Sequence, residues 1–129
     1  MRFKIHDYVN AKGENEFKKW SAKLQPLERG KLRERIDKLA MHGQTLYPEM
    51  LAGTKVPGIQ KLKIKGKVQL RPLLCHGPVD VQKEFTMLMG AKEVGDDWSP
   101  ENAPATANGK KAEVISSPTT RRKDHERVA

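Results

Sequence analysis

Gly58-Ile59-Gln60-Lys61-Leu62-Lys63-Ile64-Lys65-Gly66-Lys67-Val68-Gln69-Leu70-Arg71-Pro72-Leu73-Leu74 decides the fold. Leu62, Ile64, Val68 and Leu70 alternate with Lys61, Lys63, Gln69 and Arg71, which is the two-residue period of a half-buried strand in each arm. The stretch predicts a β-hairpin turning around Gly66. Parity then selects a register. A two-residue turn at Lys65-Gly66 would pair Ile64 with Lys67 and mix apolar and charged side chains on one face. A three-residue loop, Lys65 to Lys67, pairs Ile64 with Val68, Leu62 with Leu70, Lys63 with Gln69 and Lys61 with Arg71, and keeps each face uniform. This second register sets Lys61, Lys63 and Arg71 together on one face. Like charges directly opposed at Lys61 and Arg71 cost stability unless an anion lies between them, and a phosphate would serve.

Upstream, Leu27, Leu32, Ile36, Leu39 and Ala40 line one face of a charged segment and predict an amphipathic helix that ends at Gly43, a suitable C-cap. Before it, Phe17, Trp20, Ala22 and Leu24 recur at roughly helical spacing from Glu14 until Pro26 stops or reorients the chain. Phe3 to Val9 reads as a short strand and Asn10 to Gly13 as a turn. Tyr47 to Pro57, with two prolines and a glycine, reads mostly as loop, with Leu46, Met50 and Leu51 as anchors.

Downstream, Cys75 to Pro78 is a turn, and Glu84 to Ala91 is apolar on both faces, as a buried central strand requires. Lys92 stands at its exit. Gly95-Asp96-Asp97 predicts a turn, and Ser99-Pro100 the start of a last helix carrying Ala103, Ala107, Val114 and Ile115. Residues 1–116 then form one domain, and 117–129 a charged extension expected to fray. The order β-α-α-β-β-β-α gives an α+β fold: a small antiparallel sheet packed against an N-terminal helical hairpin, its other face left charged.

Composition sets the outer limits. The chain has 129 residues and a formal charge of +9, the size of one domain and a balance suited to a polyanion. Through Ala91 there are eighteen basic and nine acidic residues, against seven of each from Lys92 onward, so the excess lies ahead of Lys92. No window is long and apolar enough to span a bilayer, and Met1-Arg2-Phe3-Lys4 leads into no signal-like apolar stretch, so a soluble cytoplasmic protein with no membrane partner is expected. A lone Cys75, with histidines only at 6, 42, 76 and 125, argues against disulfide and zinc scaffolds. Neither a metal nor a cofactor is expected.

Phe17 to Trp20, the strand Gly58 to Ile64, its partner Val68 to Arg71, and Phe85 to Lys92 with Leu88, Gly90 and Lys92, taken in this element order, resemble the RelE/ParE superfamily of type II toxin-antitoxin toxins, within it the HigB-like, phage-type branch. The resemblance covers about residues 3 to 116. It implies a RelE-like fold and a toxin that acts as a metal-independent mRNA endoribonuclease, often on the ribosome, and is neutralised by a small cognate antitoxin protein. Attack of an RNA 2′-hydroxyl on the adjacent phosphate needs cations around the transition state, one group to take a proton and one to return another. Arg71 offers a guanidinium fork for phosphate. Lys61 or Lys63 is the candidate base, Lys92 a brace for the phosphate or leaving oxygen, and His76 and His125 are further acid–base candidates. Lys65, Lys67, Arg121 and Arg122 are candidates for holding RNA. Where the family frequently carries arginine in a Glu-Leu-Arg-like motif, this chain reads Lys61-Leu62-Lys63, which favours binding over turnover. Two alternatives stay open: a ParE-like gyrase inhibitor without catalysis, and a basic nucleic-acid-binding accessory protein of phage or plasmid origin.

Overall fold

The computed structural model describes residues 2–129. Strand β1 (Lys4–Tyr8) leads into a turn in which the Asn10 side chain accepts from the backbone of Lys12 and Glu14, and Asn15 caps α1 (Glu16–Ala22) by accepting from the Lys18 amide. Pro26 does more than stop this helix. It occupies the first turn of α2 (Pro26–His42), where its missing N–H is no loss, and Glu28 reaches back to the Gln25 amide. Gly43, at φ 58°, ends α2 as its sequence position implied, and a 3-10 turn (Gly43–Leu46) follows.

The rest of the chain gives β2 (Leu51–Gly53), β3 (Gln60–Leu62), β4 (Gln69–Leu70), β5 (Leu73–His76), β6 (Glu84–Met89), β7 (Lys92–Val94), β8 (Asp97–Ser99), α3 (Ala103–Ser116) and β9 (Arg122–Asp124). Six strands form a sheet in the order β2-β3-β5-β6-β1-β9, and β4, β7 and β8 form a second sheet of three. The class is α+β, but the main sheet is mixed, because β1 lies parallel to β6. A parallel pair needs a long crossover, and α1, α2 and the hairpin region supply it.

All six residues of β6 are buried, as its two-sided apolar pattern requires. On one side of the sheet Phe17 of α1 and Leu32, Ile36 and Leu39 of α2 pack on Leu62, Ile64, Leu70, Leu74, Phe85 and Met87. On the other, Ala103, Ala107 and Val114 of α3 pack on Tyr8, Ile59, Leu73, Cys75 and Leu88. This second face was expected to remain charged and is instead covered. Small alanines let α3 come close, and Leu73 and Leu88 need that cover. Gly90 is set by a similar approach: a Cβ there would lie 1.8 Å from the Trp20 ring.

The hairpin turns later than parity suggested. Ile64 bridges Leu70, Lys61 pairs with Leu73 and Gln60 with Leu74, so five residues, 65–69, separate the innermost pair, the last of them already in β4. The slip is two residues, which preserves each face and changes only the partners. Pro72, with no N–H to donate, separates β4 from β5, and β4 turns away to pair with β7. Residues 117–129 also differ from expectation. Arg122–Asp124 joins β1 as an antiparallel edge strand, the His125 amide donates to the Ile5 carbonyl, and Val128 is buried against α2.

Candidate nucleic-acid interface

Strand alternation sorts the basic residues into two groups. In β7, Lys92 and Glu93 point to opposite sides because successive side chains alternate. Glu93 turns toward Lys61 and Arg71, while Lys92 joins the wall of a groove on the other side.

On the first side, Lys61 Nζ lies 2.9 and 3.1 Å from the two Glu93 oxygens, and Arg71 Nε lies 3.2 Å from Oε1. The rest of the guanidinium donates to the carbonyls of Ile64 and Leu70 and to Gln69 Oε1. Lys61 also stands 5.5 Å from the centroid of the Trp98 ring, a cation–π distance. The repulsion expected between Lys61 and Arg71 is thus relieved by the protein's own carboxylate.

On the second side, the start of α2 and the hairpin loop enclose a groove of about 610 Å³. Lys23, Lys31, Lys65, Lys67 and Lys92 line it with one acid, Glu28, and Leu24, Leu27, Ile64, Val68 and Leu70 form its apolar wall. Leu27 is 72 % exposed, a large apolar side chain left in solvent at the mouth. An adjoining opening of about 410 Å³ shares Lys31, Ile64 and Lys65 and adds Lys63 and Arg35, with Glu34 and Glu49 as its acids. Lys31 Nζ donates to the Lys65 carbonyl at 3.1 Å, and Arg35 donates to that of Lys63, so the two helical cations brace the loop. Burial, with Arg71 nearby, pushes the Arg35 guanidinium below its ordinary range.

The expected quartet of Lys61, Lys63, Arg71 and Lys92 is therefore divided. Lys61 and Arg71 sit in the carboxylate clamp, Lys92 in the groove with Lys65 and Lys67, and Lys63 in the opening beside it. His76 is elsewhere, its Nε2 2.6 Å from Gln44 Oε1 and its ring 4.7 Å from that of Phe85. His125 is enclosed, with Nδ1 2.7 Å from Asp7 Oδ1, and Asn15 holds the other Asp7 oxygen at 2.9 Å. Arg121 pairs with Glu113, which also accepts from Tyr8, and Arg122 pairs with Glu84 at 2.8 Å beside His6 at 2.7 Å. These four side chains pin structure and do not face the groove.

The same contacts set the titrations. Burial, reinforced by Glu113, pushes the Tyr8 hydroxyl up to about 12. Burial would raise Glu84, but the Asp80 amide, Arg122 and His6 outweigh it and hold the carboxyl below its ordinary value. Burial pushes the Cys75 thiol up to about 12, so it is a core residue without nucleophilic character at neutral pH. Among the described residues, no cluster of three or more His, Cys, Asp or Glu is placed to hold a metal, and no helix is long and apolar enough to cross a membrane.

Sequence patterning missed Glu93, Lys23 and Lys31. The Lys92-Glu93 step carried a signal for the first, since adjacent charges on a strand must fall on opposite sides. Lys23 and Lys31 join the groove only through helix placement. No family model, curated protein or solved structure matches the chain.

Proposed function

We propose that the protein binds single-stranded RNA along the lysine groove and acts as a toxin of the RelE/ParE type, cleaving mRNA without a metal or cofactor and neutralised by a small antitoxin. One observation carries the binding part of this reading, five lysines that converge on a groove with a single acid and an apolar wall, while cleavage and the antitoxin follow from the family resemblance. Phosphates suit the lysines, and bases suit Leu27 and Val68, which cannot hydrogen-bond and so read no sequence. In the reaction the 2′-oxygen attacks phosphorus and the bond to the 5′-oxygen breaks. A cyclic phosphate and a free 5′-hydroxyl result, with one proton removed and another returned. Lys63, Lys65, Lys67 and Lys92 supply positive charge around that phosphate.

A second reading, binding without cleavage, is favoured by the engagement of Lys61 and Arg71 with Glu93. Inducible expression with mapping of RNA 5′ ends separates the two. New ends inside translated codons, lost in a Lys65→Glu/Lys67→Glu chain, support cleavage. Intact mRNA with salt-sensitive RNA binding by the purified protein supports the second reading. Failure to bind RNA at low salt overturns both.

A further inference from the structure

The geometry points to Lys61 and Arg71 as a binding site for a phosphate monoester, occupied in this structure by the chain's own Glu93. Lys61, Arg71 and Glu93 side chains are only 18 %, 11 % and 18 % exposed, so the charges meet in a partly desolvated place. Two cations face one carboxylate there. A phosphate monoester at neutral pH carries a charge of about −1.5 to −2 and three acceptor oxygens, enough to balance both cations, which a carboxylate or a phosphodiester of single charge does not do.

The site is already shaped. Gln69 and the carbonyls of Ile64 and Leu70 hold the guanidinium in place, and Trp98 lies beside the Lys61 ammonium. Glu93 can yield without unfolding, because its backbone pairs with Gln69 and Trp98 in the small sheet whichever way its side chain turns. An RNA end bearing a phosphate is one source of such a group, and free phosphate another. The site lies on the opposite side of β7 from the lysine groove, and its occupation does not depend on RNA cleavage.

The test is binding of inorganic phosphate to the full chain and to Glu93→Gln, which keeps the side chain's shape and an acceptor for Lys61. Phosphate should bind the variant about tenfold more tightly than the native chain, and adding Arg71→Gln should abolish the gain. Equal affinity in the native chain and Glu93→Gln overturns the proposal, as does a gain that survives Arg71→Gln, which would place phosphate among the groove lysines. If Glu93→Gln does not fold, the Arg71 Nε–H resonance of the native chain is followed through a phosphate titration. Saturable movement supports the site, and a resonance that stays fixed overturns it. Competition by 5′-phosphorylated against 5′-hydroxyl oligonucleotides then distinguishes an RNA end from free phosphate as the source.

Discussion

The clamp and the groove are both built around cationic side chains and both draw on β7, yet they are electrostatically different places. In the clamp, Glu93 sits between Lys61 and Arg71. In the groove, Lys23, Lys31, Lys65, Lys67 and Lys92 form no ion pair among the described residues. A cation paired with a carboxylate is already neutralised, whereas one without such a partner keeps its charge uncompensated until an anionic ligand arrives. Net charge therefore indicates an affinity for polyanions, while pairing decides where that affinity can act.

The largest effect belongs to the groove. Lys65→Glu with Lys67→Glu should weaken single-stranded RNA binding by about a hundredfold at low salt and make the log–log salt slope shallower by about 1.4, two phosphate contacts' worth. The unfolding midpoint should stay where it was. Fluorescence anisotropy across a salt series, beside thermal unfolding, reads both.

Arg71→Ala should reverse this pattern. Removing a cation that holds Glu93 and two carbonyls should cost about 1–3 kcal/mol in urea unfolding, while RNA affinity changes less than about threefold. A loss of affinity as large as that from the charge reversal would erase the distinction between the two regions.

Single groove lysines come next. Lys92→Ala should weaken binding by about three- to tenfold and change the slope by about 0.7, with no preference among RNA sequences. The smallest effect is a pH dependence in the paired class. Because the Glu84 carboxyl is held below its ordinary value in the fold, it contributes stability above the unfolded value and loses it as pH falls through the folded one. Glu84→Gln should therefore unfold with a flatter acid limb below about pH 4.5, the reference value for a glutamate, and should leave RNA binding unchanged.

What could be read from the chain follows from periodicity. The length of α2, its end at Gly43 and the burial of β6 were legible, because each rests on a repeat of apolar residues over several turns or several alternations. The hairpin's faces were legible and its partners were not: parity cannot distinguish a three-residue loop from a five-residue one, and Pro72 was the clue to the longer. β9 carries Arg122-Lys123-Asp124 and shows no apolar alternation. It is held by Arg122 on Glu84 and His125 on Asp7, partners 38 and 118 positions away, and no local pattern reports such pairs. The groove was half legible: the loop lysines stood out, and the helix lysines needed the tertiary arrangement.

The position of β9 has a consequence for the order of synthesis. β1, made well before β6 and β9, has β6 on one side and receives its other neighbour only when residues 122–124 appear, and Val128 then joins the core on the α2 side. A nascent chain in which residues 122–125 are still inside the exit tunnel lacks that strand and the His125 contact to Asp7. The edge of the sheet beside β1 is therefore completed only once residues 122–128 have emerged, long after β1 itself is available for pairing.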